Sequence, residues 1–161
     1  MRKLWRFAQN ELGDTLIEFS LSAVVLMMAM FGVMDCSRAL YTYHFVSYAA
    51  QQGTRYAIVR GANWGSTSCV ATTTLNCSAT AANVTSYVQS IAPPGVAAGS
   101  IVVTAAWPGQ NVNGAIAGCS TANSQGCLVK VKVSYSFNFI LPFLPNSALV
   151  FRGTSEEAIQ D

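Results

Sequence analysis

Nineteen consecutive residues, Leu16 to Met34, carry one charge, at Glu18. At 1.5 Å rise per residue such a helix spans roughly 30 Å, the hydrocarbon thickness of a bilayer. No Pro occurs before Pro93, so a helix begun near Asp14 can run well past the apolar stretch. Beyond it Tyr41, Phe45, Tyr48, Tyr56 and Val59 recur at helical spacing, interrupted at Gln52. Asp35 and Arg38 form an i,i+3 pair where the helix would leave lipid. One helix over about 14–59 is expected, ended by Gly61, roughly 70 Å long if straight, with Gly32 and Gly53 as points of bending or close packing. The aromatic stripe is expected to be the contact of this helix with its own domain; a face kept for neighbouring subunits is the other reading. The lower half is left for partners.

A second helix is expected over Ala79–Ile91, capped by Ser78, with Val84, Val88 and Ile91 on one face and Pro93-Pro94 as the stop. Ile101–Trp107 reads as a strand stopped by Pro108. From Leu128 to Phe139 the alternation is the cleanest in the chain: Val129, Val131, Val133, Tyr135, Phe137 and Phe139 point one way, Lys130, Lys132, Ser134, Ser136 and Asn138 the other. That is an antiparallel strand with one buried and one wet face. After a turn at Pro142–Pro145, Leu149–Ser155 makes a third strand. The expected fold is α+β, a long N-terminal helix packed on a small antiparallel sheet.

Charge changes the picture in two places. The formal net charge of +2 comes entirely from Arg2, Lys3, Arg6 and Glu11; the rest of the chain holds six bases and six acids. A basic patch for nucleic acid is therefore not indicated. Gly61–Val129 contains no charged residue and is rich in Ser, Thr, Asn, Gly and Ala. Either this is a solvated region built on hydroxyls and amides, or a surface that packs against like subunits, where desolvating charge is costly.

The N-terminus allows three readings. A secretory signal has an apolar core of roughly 7–15 residues and then a small-residue cleavage site; here the run is longer and no A-x-A pattern follows. A lipoprotein signal needs small residues before its Cys, and Cys36 follows Met34-Asp35. The leading reading is a membrane helix whose leader, held in the cytoplasm by Arg2, Lys3 and Arg6, is clipped before the helix. Glu18 needs a reason in any case, because a carboxylate near mid-bilayer costs about 2–3 kcal/mol. The bland reason is snorkelling at the membrane edge.

Gly13-Asp14-Thr15-Leu16-Ile17-Glu18-Phe19 resembles the processing site of type IV prepilins, cut after the Gly to leave a Glu fifth in the mature chain. The continuations F-G-V-M-D-C-S-R-A-L-Y-T-Y and A-A-Q-Q-G-T-R-Y-A, and the C-terminal V-K-V-S-Y-S-F, P-F-L-P and S-E-E-A-I, are similar to TadE/TadG-like pseudopilins of tight-adherence (Tad) pilus systems. The resemblance covers about 10–60 and 128–159; the middle matches nothing. It implies a type IV pilin-like fold with a cytoplasmic leader (1–13), a transmembrane helix carrying the processing motif (14–35) and an extracytoplasmic domain (36–161). It implies a single-pass protein of the bacterial inner membrane, free to enter the pilus. The implied partners are the membrane, a prepilin peptidase that cuts between Gly13 and Asp14, other pilins or pseudopilins, and the Tad assembly platform. In an assembled filament Glu18 would neutralise the new α-amine of Asp14 on a neighbour. The function implied is a minor pilin that assembles or initiates an adhesive pilus. The alternative is an uncleaved, membrane-tethered binding domain outside any filament.

Cysteine spacing bears on the compartment. Cys69 and Cys77 bracket one loop, and Cys119 and Cys127 another with the same spacing. Four cysteines allow three pairings, and the spacing favours the two local ones. Each closure is worth about 2.5 kcal/mol on the chain-entropy model. A zinc site of four thiolates, usually built on C-x2-4-C pairs, and free thiols are the rivals. Disulfides place the domain in an oxidising compartment outside the cytoplasm. Cys36 reads as a lone packing residue or an intermolecular bridge. No cofactor, metal site or catalytic constellation is indicated: His44 is the only histidine, and no acid lies between Asp35 and Glu156. Lys130 and Lys132 read as the wet face of a strand, Glu156 and Glu157 as a solubilising tail.

Overall fold

A computed structural model describes residues 11–62, 64, 78–116, 118, 119, 123–140 and 148–160. Most of the expected leader, Cys69, Cys77 and the expected Pro142–Pro145 turn lie outside the described residues. Helix α1 runs Glu11–Ile58, helix α2 Ala81–Ser90, and strands β1, β2 and β3 are Ile101–Ala106, Leu128–Phe137 and Leu149–Ala158. The chain divides into two compact units, one of 1–39 with 139–145, the other of 40–138 with 146–161.

α1 begins three residues before the expected start, because one glycine among good helix formers costs only about 1 kcal/mol and does not break a long helix. It ends as its last turn tightens, with the Arg60 N–H on the Ala57 carbonyl at 3.2 Å. α2 is capped by Thr80 rather than Ser78. Thr80 is the residue with extended backbone angles, and its hydroxyl accepts from the Asn83 N–H at 3.2 Å. Ser78 stands two residues too early, and Ala79 between them is buried with its N–H on the Arg60 carbonyl.

The second unit is an antiparallel meander in the order β1-β2-β3. Val131 faces Ala105 and Ser155, and Val133 faces Val103 and Gly153. Val129, Val131, Val133 and Phe137 are buried as the alternation requires. β3 continues three residues past the expected Ser155, because Glu156 comes into register with Lys130 and pairs with it across the strands. Glu156 is therefore a strand residue with an ion partner, not part of a loose tail.

The helix face that meets this sheet differs from the expected stripe. Phe45 and Tyr56 are buried, but Tyr41 (50%), Tyr48 (54%) and Val59 (44%) are exposed. The core face runs instead through Val46, Ala49, Ala50, Gly53, Thr54 and Ala57. These residues are small because the sheet and α2 come close. A Cβ on Gly53 would lie 3.0 Å from Val88 Cγ2 and 3.1 Å from Val131 Cγ1. A Cβ on Gly153 of β3 would lie 2.6 Å from the Val46 carbonyl oxygen. Thr54, fully buried, is satisfied by donating to the Ala50 carbonyl at 2.9 Å.

Candidate processing and assembly site

Gly13 and Asp14 sit in the opening turns of α1, and Glu18 follows one turn after Asp14 on the same face. Asp14 through Ser22 are all exposed. An acid in the first turns of a helix is favoured by the positive end of its dipole. Among the described residues no atom lies within contact distance of a Cβ placed on Gly13 or on Gly32, so the helix surface they leave there is open.

From Leu16 to Met34 the helix is apolar on every side, and its large side chains stand exposed, Leu16 at 69% and Phe19 at 73%. A helix apolar all round belongs inside a large protein or a membrane. Among the described residues nothing covers it, and it is long and apolar enough to cross a bilayer. Ser20 and Ser37 turn their hydroxyls onto the helix's own carbonyls, at Ile17 (2.9 Å) and Val33 (2.8 Å). Polar side chains in such a helix thereby satisfy themselves without water.

At the C-terminal end of the run stands Asp35, 4% exposed. Its Oδ1 accepts from Arg38 at 2.8 Å, as the spacing suggested, and its Oδ2 accepts from the Ile140 backbone N–H at 2.9 Å. The second bond was not foreseen. It joins positions 105 residues apart, and the sole sequence signal is the uncharged run Phe139-Ile140-Leu141-Pro142-Phe143-Leu144-Pro145.

Cys119 and Cys127 are joined by a disulfide, whereas Cys36 is free and exposed and so does not pack within the chain. Inside the closed loop Asn123, at φ 68°, accepts the Ala62 N–H on its carbonyl and donates its side-chain amide to the Ala79 carbonyl at 2.6 Å. The loop thus holds the exit of α1 against the approach to α2. His44 is exposed and meets only the edge of Tyr43 among the described aromatic rings. No group of three or more His, Cys, Asp or Glu gathers among the described residues.

The fold and this helix define a class: an α+β domain carried on one long apolar N-terminal helix. The family model described as TadE-like protein matches residues 13–55, so that segment is similar to the TadE-like family. The match opens at Gly13 and takes in Glu18, the apolar run, Asp35 and most of the helix face that meets the sheet. No curated protein and no solved structure matches the chain.

Proposed function

We propose that this chain is a minor pilin of a Tad-type adhesive pilus, cut by a prepilin peptidase after Gly13 and active in assembling or initiating the fibre. The observation that carries the reading is the start of the TadE-like match at Gly13, directly ahead of an exposed apolar helix with one acid. Residues 1–13 are the cytoplasmic leader, 14–35 cross the inner membrane, and 36–161 form the domain beyond it. The Cys119–Cys127 disulfide supports an oxidising compartment for that domain.

The chemistry of assembly follows from Glu18. Cleavage creates an α-amine on Asp14 beside hydrocarbon, where an unpaired charge costs about 2.5–3.5 kcal/mol at depth. The Glu18 carboxylate of an adjoining copy answers it, so two groups costly in lipid cancel in the assembled state. The partners are other pilins, the peptidase and the Tad assembly platform; the protein carries structure rather than catalysis.

Co-expression with a prepilin peptidase tests this by intact mass. The expected product begins at Asp14, and Gly13→Val leaves the chain beginning at Met1. Persistence of the full-length parent beside an active peptidase would overturn processing and leave the uncleaved, tethered binding domain as the reading.

A further inference from the structure

Asp35 follows the last residue of the apolar run, yet one of its two oxygens is spent on a backbone amide from the distant β2–β3 connection. Ile140 lies three residues past Phe137, the end of β2, so the sheet no longer supplies a partner for its N–H. The carboxylate supplies it instead, while the Ile140 side chain stands 73% exposed, as open as Phe19 within the run itself. Phe139 and Ile140 open a seven-residue sequence with no charge and no polar side chain, in which two prolines also lack an N–H. Phe139 and Ile140 fall in the same compact unit as the apolar run rather than with the sheet. Ser37, the second residue after Asp35, sends its exposed hydroxyl back to the Val33 carbonyl.

The geometry points to a second lipid contact: Phe139 and Ile140 enter the bilayer interface at the C-terminal end of the apolar run, and Asp35 satisfies the backbone amide that lipid cannot. In hydrocarbon an unpaired N–H is costly, which is why irregular chain reaches that depth only when its amides are answered by protein. The occupant is lipid rather than a second copy because the contact is continuous with a helix apolar on every side. The inference rests on the reading of Leu16–Met34 as membrane-embedded and adds an anchor outside the helix. Asp35 is a positioning residue: it holds the connection at that level, with Arg38 balancing its charge.

A photo-crosslinking amino acid placed singly at Ile140, Leu26 or Val102 tests this in the full chain. The chain is reconstituted in vesicles of phosphatidylethanolamine and phosphatidylglycerol. Phospholipid adducts are expected at Ile140 and Leu26 and not at Val102 on the sheet. Asp35→Ala is expected to cut the Ile140 adduct several-fold while leaving the Leu26 adduct and the Cys119–Cys127 disulfide intact, and Asp35→Asn to restore part of it. Covalent dimers, or no lipid adduct, at Ile140 beside a strong Leu26 adduct would overturn the inference alone. No adduct at Leu26 either would overturn the membrane reading beneath it. An Ile140 adduct unchanged by Asp35→Ala would remove the positioning role.

Discussion

Among the glycines of the described residues, Gly153 is the one least able to accept a single carbon. A Cβ there falls 2.6 Å from the Val46 carbonyl oxygen and 3.0 Å from Ser47 Cα, where ordinary contact begins at 3.4 Å. Both obstacles are helix backbone, so β3 must retreat by roughly 0.8 Å rather than have a side chain turn aside. Val133, in register with Gly153, and Val46 beneath it are both fully buried, so the retreat opens the centre of the core. Gly153→Ala is expected to cost about 3 kcal/mol, the upper end for overpacking, or a fall of roughly 12 °C in Tm for a domain of this size. Gly53→Ala supplies the contrast. Its Cβ would meet the methyl groups of Val88 and Val131 at 3.0 and 3.1 Å, and the crowding is offset by about 1 kcal/mol of helix propensity. That variant is expected within about 1 kcal/mol of the parent. Thermal unfolding of the full chain in detergent, followed by near-ultraviolet circular dichroism, measures both. A Gly153→Ala protein as stable as the parent would refute the packing of β3 directly on α1, and a Gly53→Ala protein destabilised as much as Gly153→Ala would refute the contrast between backbone and methyl-group obstacles.

Three further outcomes are expected. Removing the Cys119–Cys127 bond with paired serines should cost about 2.5 kcal/mol by denaturant titration, since it closes a short loop and releases Asn123 from its clamp on Ala62 and Ala79. Thr80→Ala should cost about 1 kcal/mol, while Ser78→Ala should stay within about 0.5 kcal/mol, because the hydroxyl of Thr80 makes the capping bond. Glu18→Ala should be processed at the normal rate yet be absent from sheared filaments, which immunoblotting of membrane and filament fractions would report.

What could be read from the chain divides along physical lines. β2 was legible because alternation at period two over Val129, Val131 and Val133 has one cause, a sheet buried on one face. The long helix was legible from the absence of breakers. Its buried face was not, because the aromatic residues carry the stronger hydrophobic signal. Close packing instead selected Ala49, Ala50, Gly53 and Ala57, whose small size is the adaptation. Ser78 and Thr80 are alike as capping residues, and only the backbone turn between them decides which one caps. Gly13, Asp14 and Glu18 lie together near the start of one helix, as their linear spacing implied, and their part in processing and assembly belongs to the proposal. The Asp35–Ile140 bond was not, because nothing local couples a carboxylate to an amide 105 residues away. The extent of β3 was missed for a similar reason: Glu156 looks like a solvated tail until Lys130 stands opposite it.

The most direct test of the account is a zero-length cross-link in sheared filaments. A lipid-soluble carbodiimide should join the α-amine of Asp14 on one copy to the Glu18 carboxylate of another. The expected result is a covalent dimer, lost in Glu18→Ala, whose linked peptides begin at Asp14. Filament subunits that still carry residues 1–13, or an Asp14 amine that stays unlinked while Glu18 reacts, would contradict it.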